Sequence, residues 1–519
     1  MIRPSSLTVL TRVLVPGVLA LAVTWLGPAR VDPVRAASTP ATGSAGVQTP
    51  VIETPVVVVG AGLAGLTAAH RLRQAGLEVT VLEATTHLGG RMRSARYPEG
   101  VSAEAGLEEF WDTNPAVPLA RELGLQLEPS ATAFSSFWHA GKLHAFTHEH
   151  HEDFVRSVLG PKEYPRFQAW DRRMQALHAR VWQRPLPADL KAMQDISFGE
   201  WLARKSGLSP LAQALVRAET EPEFGQLADA ISALDGLDEW HIFSGKGVGS
   251  HHVVGGNQRL AEALADRIGR ERIQLGAQVT RIARYPDHVD VTALDTATYT
   301  VRHFRARHVV TTMPLFRLYE IQLDPPLSPA VQQAIGTQTW GAYFVAHIVL
   351  DRRAERFWHR GGEDLLPILT GGPLGVIYGG NPPEGPTDST LLNLLVTGPH
   401  AEAYNARTGS VDDVRKAIAP ELEKLWPGIG RDVRYMTFVR YHPRAIAGWP
   451  VGRSRFDALS DEVRRPQGRL YLAGDFTENT HSDGASWSAL RVVRQICAAE
   501  HLPLPSGLPE RQAAPLPVR

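Results

Sequence analysis

The sequence is poor in cysteine and in lysine. Cys497 is the single cysteine, so the chain forms no intrachain disulfide and offers no Cys/His set for a structural zinc site. There are 7 lysines against 47 arginines, and the 54 basic residues balance 54 acidic ones, which makes the formal net charge zero. Because proteins that grip nucleic acid normally have a clear basic excess, we expect no nucleic-acid partner. The 519 residues and 43% apolar content predict an ordinary globular protein with a sizeable core.

The N-terminus has the pattern of an export signal. Arg3 and Arg12 precede an apolar run, 13–26, which is shorter than the roughly 20 residues that cross a bilayer as a helix. Val34-Arg35-Ala36 follows as a small-x-small cleavage pattern. We therefore predict a signal peptide over 1–37 and an exported protein, either periplasmic or secreted. The alternative is an uncleaved anchor that holds the protein to the membrane through residues 13–26.

Both ends of the chain differ in composition from its middle. Residues 38–50 are small, polar and contain proline and glycine, which predicts a disordered linker. Residues 502–519 form a Pro-rich tail that we expect to be extended and solvated. The folded part therefore covers 51–501.

The first folded segment predicts a strand, a glycine turn, a helix and a second strand. Val56–Val59 is a fully apolar run, typical of a central parallel strand. A glycine-rich turn and a helical pattern follow it, and then the run Val79–Leu82 ends at Glu83. This arrangement binds the pyrophosphate of an adenine dinucleotide at a helix N-terminus and its ribose at the carboxylate. The predicted contacts in the turn are Gly60, Gly62, Leu63, Ala64 and Gly65.

A second glycine motif indicates that the cofactor is a flavin and not a nicotinamide. Gly89-Gly90-Arg91 follows Glu83 closely, and here the sequence resembles the flavin-containing amine oxidase superfamily. The resemblance implies that FAD is bound by Glu83, by the adjoining Ala84 and by the Gly-Gly-Arg segment. The physical case agrees, because a guanidinium is a fixed bidentate partner for phosphate.

The resemblance continues in two later segments. In the middle of the chain, 252–257 precedes a helical pattern and several strand-like residues, and the resemblance implies that Val279 meets the adenine side through its backbone. Near the C-terminus an apolar strand leads to Gly474-Asp475, and Gly484-Ala485 opens a helix whose N-terminus is implied to face the flavin. Three separated segments in the right order imply one FAD-binding fold.

The predicted fold class is α/β, with a Rossmann-like FAD-binding domain assembled from discontinuous segments and a mixed α+β substrate domain. The predicted FAD domain covers 51–130, 245–315 and 431–501. The predicted substrate domain covers 131–244 and 316–430. We expect the substrate to react at the junction of the two domains.

One residue of the family pattern is missing. Members that oxidise amines often carry a lysine that holds a water near flavin N5, in the segment that corresponds to 340–350. This chain has no lysine between Lys246 and Lys416, and Tyr343 and His347 are the candidates for that position. The departure leaves the electron acceptor open between O2 and another molecule.

Family members also flank the flavin with two aromatic rings that guide an uncharged amine. Trp449 matches the first ring position, although a tryptophan there is also typical of a packing residue. His481 stands at the second position, so the resemblance implies an aromatic cage with only one of its two aromatic rings. Gly448 stands where some monoamine oxidases attach FAD through a cysteine, which implies non-covalent FAD.

Two polar clusters have alternative interpretations. Where L-amino-acid oxidases carry an arginine for the substrate carboxylate, this chain has Glu108, Glu109 and Asp112. Carboxylates at the mouth of a site favour a cationic substrate, and the alternative is a solvated acidic loop. A histidine cluster has the spacing to hold a transition metal, but such runs are more typical of exposed loops, so we predict no metal site. Its members are His148, His150 and His151.

These observations predict a FAD-dependent oxidoreductase that acts on a small-molecule substrate. In the leading hypothesis, a neutral amine donates hydride from its α-carbon to flavin N5 and becomes an imine. The first alternative is a desaturase or porphyrinogen-oxidase-like enzyme on an apolar substrate, which the missing lysine favours. The second alternative is a FAD-binding protein with a decayed site.

Overall fold

The computed structural model describes residues 50–130, 136–145, 151–243, 249–361, 363–407, 411–440 and 444–509. They belong to one compact unit, Thr49–Arg519. The predicted signal peptide or anchor and the predicted linker up to residue 49 lie outside the described residues, as do His148, His150 and the side chain of His151. Within the described part, no helix combines the length and the apolar character that crossing a membrane requires.

The described residues form both strands and helices. In chain order the strands are β1 (Val51–Val59), β2 (Val79–Glu83), β3 (Ser94–Arg96), β4 (Ser102–Glu104), β5 (Phe110–Trp111), β6 (Leu127–Pro129), β7 (Ser136–His139), β8 (Lys142–Ala145), β9 (Ser250–Val253), β10 (Ile273–Leu275), β11 (Ala277–Arg284), β12 (Val289–Asp295), β13 (Val301–Thr311), β14 (Gln322–Asp324), β15 (Thr339–Gly341), β16 (Tyr343–Asp351), β17 (His359–Arg360), β18 (Glu363–Asp364), β19 (Ile368–Leu369), β20 (Val376–Gly379), β21 (Ser389–Thr397), β22 (Val433–Arg440), β23 (Ile446–Gly448) and β24 (Leu470–Leu472). The helices are α1 (Leu63–Gln74), α2 (Ala116–Glu122), α3 (His151–His178), α4 (Ala188–Gln194), α5 (Phe198–Lys205), α6 (Pro210–Phe224), α7 (Ala233–Phe243), α8 (Gln258–Ile268), α9 (Pro329–Thr337), α10 (Gly398–Asn405), α11 (Val411–Leu425), α12 (Ala458–Arg464) and α13 (Ser482–Ala499). The span α3 is two helical pieces that meet at Gly160, where the backbone leaves helical geometry.

The larger sheet has the strand order β10-β2-β1-β13-β12-β11-β14, and β24 also pairs with β13. Strands β10, β2, β1, β13 and β24 run parallel, whereas β12 is antiparallel to both of its neighbours. Val56, Val57 and Val58 of β1 are fully buried, as a central strand covered on both faces requires. On one face Leu66 of α1 and Val493 of α13 share an apolar core with β1. The predicted α/β class with a Rossmann-like sheet is confirmed.

The second sheet has the strand order β22-β16-β21-β20-β19-β7-β8. Successive side chains of a strand point to opposite faces, and β16 follows this rule. Tyr343 and Val345 pack with the core of helices α3 to α7, whereas Phe344 and Ala346 pack with the core that includes α11. The face of β16 that carries Tyr343 and Val345 is therefore turned towards the helices α3 to α7.

Sheet membership moves two of the predicted domain boundaries. Strand β14 lies in the predicted substrate segment 316–430, yet it pairs with β11 of the larger sheet. Strand β22 lies in the predicted FAD segment 431–501, yet it pairs with β16 of the second sheet. The predictions failed there because a strand joins a sheet through hydrogen bonds to distant residues, which the composition of a segment does not reveal.

The Pro-rich tail is in part wrongly predicted. Residues 502–509 pack on the body of the protein: Leu508 is partly buried against the core of α1 and α13, and Pro505 is buried. The carbonyl of Pro509 accepts a hydrogen bond from Arg494 at 2.6 Å. Residues 510–519 lie outside the described part.

Candidate active site

The glycine turn between β1 and α1 has the geometry of a phosphate cradle. Gly60 has a φ of 108°, and a Cβ on Gly65 would lie 2.0 Å from the carbonyl oxygen of Gly60, so only glycine allows this helix to approach the strand. Helix α1 begins with Leu63 and Ala64 directly after Gly62, where no described side chain caps the helix by a hydrogen bond. The backbone amides at this N-terminus are donors of the kind that a pyrophosphate requires.

Glu83 lies at the end of β2, directly beside the glycine turn. Its Oε2 accepts a hydrogen bond from the Ala61 amide at 2.8 Å, and its Oε1 accepts hydrogen bonds from the amide and hydroxyl of Thr85 at 2.9 and 2.8 Å. The carboxylate is thus fixed where the nucleotide-binding pattern places the ribose. Ala84 follows it and is exposed.

Val279 belongs to β11, which starts close to the same end of β2. The Gly276 amide, one residue before β11, donates to the Thr85 carbonyl at 2.8 Å. The pairing of β11 with β12 is irregular between Val279 and Arg281, and the Val279 side chain is buried. The structure therefore brings the segment of Val279 to the Glu83 end of the sheet, although contact with an adenine stays a prediction.

The Gly89-Gly90 turn packs directly on the first glycine turn. The Gly89 amide donates to the Ala61 carbonyl at 2.9 Å, and Gly62 and Gly89 form a short parallel bridge. A Cβ on Gly89 would lie 2.4 Å from the Met92 carbonyl, so a side chain is excluded there. The two motifs thus form one continuous surface of backbone.

Arg91 joins this surface to the C-terminal part of the chain. Its guanidinium donates to both carboxylate oxygens of Asp475, at 2.8 and 2.7 Å, and to the Ala445 carbonyl at 2.9 Å. The Arg91 side chain is 45% exposed, whereas Asp475 is 3% exposed. A half-exposed guanidinium beside the amides of α1 fits a dinucleotide pyrophosphate in charge and in donor geometry.

The C-terminal segment delivers its predicted residues to the same place. Strand β24 ends just before Gly474 and Asp475, and the Gly474 amide donates to Ser488 of α13 at 2.8 Å. Gly484 and Ala485 lie in the first turn of α13. A helix N-terminus favours negative charge, and the contact of Gly484 and Ala485 with a flavin stays a prediction.

Trp449 does not line the site. Its ring is 2% exposed, and Nε1 donates to the Ser460 hydroxyl at 3.1 Å. Its backbone amide donates to Asp235, and its carbonyl accepts from the Ser232 amide. A ring that faced a substrate would be reachable by water in a protein without bound ligand. The prediction of a flavin-facing ring is therefore wrong, and Trp449 is a packing residue.

The two candidates for the missing lysine occupy different environments. His347 is fully buried, with Nδ1 at 2.5 Å from the Tyr97 hydroxyl and Nε2 at 2.9 Å from the Glu104 carbonyl. Burial lowers the pKa of His347. Tyr343 is half-buried, and its hydroxyl donates to the Pro222 carbonyl at 2.6 Å. His347 therefore lies behind the site, while Tyr343 reaches the end of α6.

Four glutamates from three separate segments lie close enough for the charge of one to shift the pKa of another. Glu108 and Glu109 precede β5, Glu223 lies in the last turn of α6, and Glu239 lies in α7. Burial, with the charges of Glu239 and Glu109, raises the pKa of Glu223 to about 8, although His481 opposes the shift. Burial also raises the pKa of Glu109 to about 7 and that of Glu108 well above its usual range. We call these four residues the glutamate recess.

Polar and aromatic neighbours complete the glutamate recess. The Ser250 hydroxyl donates to Glu109 at 2.7 Å, and the Asn393 amide donates to Glu108 at 2.6 Å. Burial and the nearby glutamates raise the pKa of Tyr378 well above its ordinary value. Glu108, Glu109 and Glu223 keep part of their surface accessible, as side chains that line a recess do.

The acidic segment after β4 is thus divided. Glu108 and Glu109 are half-buried members of the recess, so the alternative of a solvated loop is wrong for them. Asp112 is exposed, accepts a hydrogen bond from the Gly249 amide at 2.8 Å and pairs with His251 at 2.5 Å, which lowers its pKa. Asp112 is the surface residue of the three.

His481 links two members of the recess. Its Nε2 lies 2.7 Å from a carboxylate oxygen of Glu239, and its Nδ1 lies 3.6 Å from Glu223. Burial lowers the pKa of His481, but the two carboxylates outweigh it and raise the pKa to about 10. The same three residues have ligand atoms close enough to suggest a metal. However, the carboxylates meet opposite ring nitrogens, whereas a metal binds one nitrogen of an imidazole, so the arrangement is that of a hydrogen-bonded imidazolium.

The sequence-based predictions missed Glu223, Glu239 and Tyr378. One signal was present: Asp235, Asp238 and Glu239 recur at the spacing of one helix face inside the otherwise apolar α7. All three are buried in the structure and contact the segment 449–481. Charged residues on the buried face of a helix indicate a functional or ion-paired site.

Comparisons with known proteins agree with this geometry. Residues 63–497 match the family of flavin containing amine oxidoreductases. The chain is 27% identical to the flavin-dependent L-tryptophan oxidase RebO of Lentzea aerocolonigenes over 86% of this chain and 98% of that protein. It is 29% identical to the putative flavin-containing monoamine oxidase AofH of Mycobacterium tuberculosis (strain ATCC 25618 / H37Rv) over 66% of this chain and 74% of that protein.

A solved structure shows the same fold. Putrescine oxidase bound to putrescine superposes with a TM-score of 0.72 at 22% identity, and the match covers 86% of this chain and all of that one. The names of these three proteins refer to an amino acid, a monoamine and a diamine, so the choice of substrate depends on the site itself.

Proposed function

Because the chain belongs to the flavin-containing amine oxidoreductase family, and is a FAD-dependent enzyme that oxidises amines, we propose that its substrate is an amine with a second positive charge and no carboxylate group. Diamines and polyamines are the chemical class that meets this description. The glutamate recess is the observation that carries the proposal.

The recess attracts cations through more than its carboxylates. Glu223 lies in the last turn of α6, a turn without a basic residue, and the C-terminal end of a helix is itself negative. A carboxylate is unfavourable at such a position unless a cation joins it. His481 supplies one positive charge to Glu223 and Glu239, which leaves the recess with net negative charge once its carboxyls ionise.

The same charges disfavour the other substrate classes. The carboxylate of an amino acid would meet Glu108 and Glu109 where an arginine is needed, and the buried Arg455 already binds Asp238 at 2.6 Å. An apolar substrate would have to displace water from the carboxylates without replacing their hydrogen bonds, which is costly. The desaturase alternative therefore gains no support from the recess.

The residues of this chain bind and orient two molecules. The amides of α1, Arg91 and the α13 N-terminus hold FAD, which supplies the hydride acceptor for the α-carbon of the amine. The glutamate recess orients the substrate cation. We infer non-covalent FAD, since the single cysteine, Cys497, is buried within α13. We also propose O2 as the electron acceptor, which RebO and AofH support by being named oxidases.

We propose in addition that the protein is exported. The apolar run 13–26 and the cleavage pattern at 34–36 support this proposal. N-terminal sequencing of protein recovered from the cell envelope and the medium tests it. A chain that keeps residues 1–37 would support the membrane anchor in its place.

Anaerobic mixing of the holoenzyme with single compounds tests the substrate class. Bleaching of the flavin absorbance should be fastest with aliphatic diamines and polyamines, slower with monoamines of equal length, and slowest with the amino acid that bears the same side-chain amine. Peroxide release in air tests O2. Equal rates with diamines and their monoamine counterparts would contradict the proposal, and no bleaching by any amine would indicate a decayed site.

A further inference from the structure

A carboxylate, an imidazole and a second carboxylate form an ordered array beside α13. Glu239 binds Nε2 of His481 at 2.7 Å, and Glu223 lies 3.6 Å from Nδ1 of the same ring. Side-chain exposure rises along the array from 3% for Glu239 through 11% for His481 to 19% for Glu223. Glu223 is therefore the most accessible member of the array and is the one that interacts with Glu108 and Glu109, while Glu239 is the most deeply buried.

The array is close to the predicted flavin segment. His481 is the residue that precedes the first turn of α13, and its carbonyl accepts a hydrogen bond from the Ala485 amide at 3.1 Å. Gly484 and Ala485 are the predicted flavin contacts of that turn. The array and the predicted flavin contacts therefore adjoin each other at the start of α13.

The amine substrate binds in its protonated form, which cannot be oxidised directly. An aliphatic ammonium has a pKa near that of lysine, about 10.4, so the amine is protonated at neutral pH. An ammonium nitrogen has no lone pair to stabilise the cation that develops at the α-carbon as hydride leaves. The reacting nitrogen therefore has to lose a proton before oxidation.

We propose that Glu223 accepts this proton from the reacting ammonium, and that His481 and Glu239 are positioning residues for its carboxylate. The acceptor is the ionised form of Glu223. The N–H bond of the ammonium breaks, its electron pair stays on nitrogen as the lone pair, and an O–H bond forms on the Glu223 carboxylate. Nothing is oxidised or reduced in this step. The proton passes to water after the product leaves. The inference rests on the proposed function, because it needs an amine substrate.

The surroundings of Glu223 suit a proton acceptor. A carboxylate of ordinary pKa lies about six units below an alkylammonium, whereas a pKa of about 8 lies only about two below it, and proton transfer is easier when the values are close. The negative end of α6 adds to the proton affinity. The titratable groups that face Glu223 are His481, Glu239, Glu109, Glu108 and Tyr378.

His481 is placed to orient Glu223 and not to replace it. Glu239 fixes the ring through Nε2, and the Thr480 hydroxyl lies 3.3 Å from the other Glu239 oxygen. The fixed ring directs Nδ1 towards Glu223. Glu223 is thus the reactive group, His481 orients it, and Glu239 holds His481 in place.

The test compares flavin reduction by a diamine in the holoenzyme and in Glu223→Gln, under anaerobic stopped-flow conditions from about pH 6 to about pH 11. The variant should reduce at least about a hundredfold more slowly at neutral pH. It should recover most of this loss above the pKa of the substrate, where the amine arrives already neutral. Equal slowing at every pH would overturn the proposal, as would a pH profile identical to that of the wild type.

Three further variants keep the test decisive. Glu223→Asp should retain the wild-type shape of the pH profile, and it stands in if Glu223→Gln does not fold. Glu109→Gln should weaken diamine binding and keep that shape, with the profile moved towards lower pH because the charge of Glu109 raises the pKa of Glu223. Glu239→Gln should shift the acidic side of the pH profile of flavin reduction and leave the pH dependence itself in place. A residue with a merely structural role would not shift the profile. Bound FAD, measured by its visible absorbance, confirms that each variant is folded.

The outcomes separate this inference from the proposed function. If no amine reduces the wild-type flavin, both fail together. If diamines reduce the flavin and Glu223→Gln follows the wild-type profile, only the role of Glu223 fails. A quaternary ammonium analogue has no N–H proton to give, so its binding, measured by the flavin spectrum, reports only on charge. If Glu223 acts only as a counter-ion, Glu223→Gln should weaken this binding, and flavin reduction by the diamine should not recover at high pH.

Discussion

The guanidinium of Arg91 binds both carboxylate oxygens of Asp475, at 2.8 and 2.7 Å, although the two residues lie 384 positions apart. The pair connects the first two glycine motifs to the strand and helix at the C-terminus. The predicted cofactor surface is therefore complete only when both ends of the folded chain are assembled.

Asp475→Asn should loosen this assembly. Removing one partner leaves a half-exposed guanidinium, so we expect a loss of about 1–2 kcal/mol in the unfolding free energy of the apoprotein. FAD should also dissociate faster, because Arg91 is no longer held in place. Urea unfolding and the recovery of flavin fluorescence measure the two effects.

A matched control exists on the surface of the larger sheet. Arg305 also donates two hydrogen bonds to one carboxylate, that of Asp290, through Nε and a terminal nitrogen. Its side chain is also 45% exposed, but Asp290 is 30% exposed where Asp475 is 3% exposed. Asp290→Asn should cost less than about 0.5 kcal/mol. Equal losses for the two variants would contradict a special role of the buried carboxylate.

Glu109→Gln should change substrate preference. The substitution keeps the shape of the side chain and removes one charge from the recess, so we expect the KM of a diamine to rise about tenfold more than that of a neutral-tailed amine. Asp112→Asn is the control, since Asp112 lies in the same segment but is exposed and paired with His251. A similar rise of the diamine KM in both variants would contradict a specific role of Glu109 and would assign the effect to the overall negative charge of the segment.

Glu223→Gln should stabilise the protein at alkaline pH. The folded pKa of Glu223 is about 8, above the usual value of 4.5, so the folded state holds a proton that the unfolded state releases. This costs stability from about pH 4.5 upwards and reaches its full size above about pH 8, on the order of 5 kcal/mol. The gain of the variant should therefore be absent at about pH 4 and greatest above about pH 8 in thermal or urea unfolding. A variant less stable than the wild type at about pH 9 would contradict this reasoning.

The backbone geometry of the predicted cofactor surface could be inferred from the sequence because its signals are local. The turn at Gly60–Gly65 and the carboxylate of Glu83 follow from short motifs in which each residue type is needed for backbone geometry or charge. Such motifs specify their own structure within some thirty residues. The placement of Asp475 followed from a resemblance that covered the three segments in order.

The glutamate recess was not predictable in this way. Glu108, Glu223 and Glu239 come from a loop and from the ends and faces of two helices, and only the packing of α6 and α7 brings them together. Single glutamates on helices are common on surfaces, so no residue type marked them. Their exposure and partners are properties of the tertiary structure.

The position of Trp449 shows the limit of a single matched residue. A tryptophan at one place in a motif is compatible with a substrate cage and with a core, and burial decides between them. Here the ring is buried and hydrogen-bonded to Ser460. The predicted domain assignments of β14 and β22 differ from the structure for a related reason. Pairing partners far away in the sequence decide to which sheet a strand belongs.

Trp449→Phe tests the assignment of this ring to the core. The variant loses the hydrogen bond from Nε1 to Ser460 and leaves a small cavity, so the unfolding free energy should fall by about 1–3 kcal/mol. Because the ring is buried and hydrogen-bonded to Ser460, kcat and KM for diamines and monoamines should stay within about twofold of the wild type. Trp426→Phe is the control: Trp426 is similarly buried in the core that includes α11, but its Nε1 has no hydrogen-bond partner among the described residues. A Trp449→Phe enzyme with altered amine preference and unchanged stability would return the ring to the flavin face.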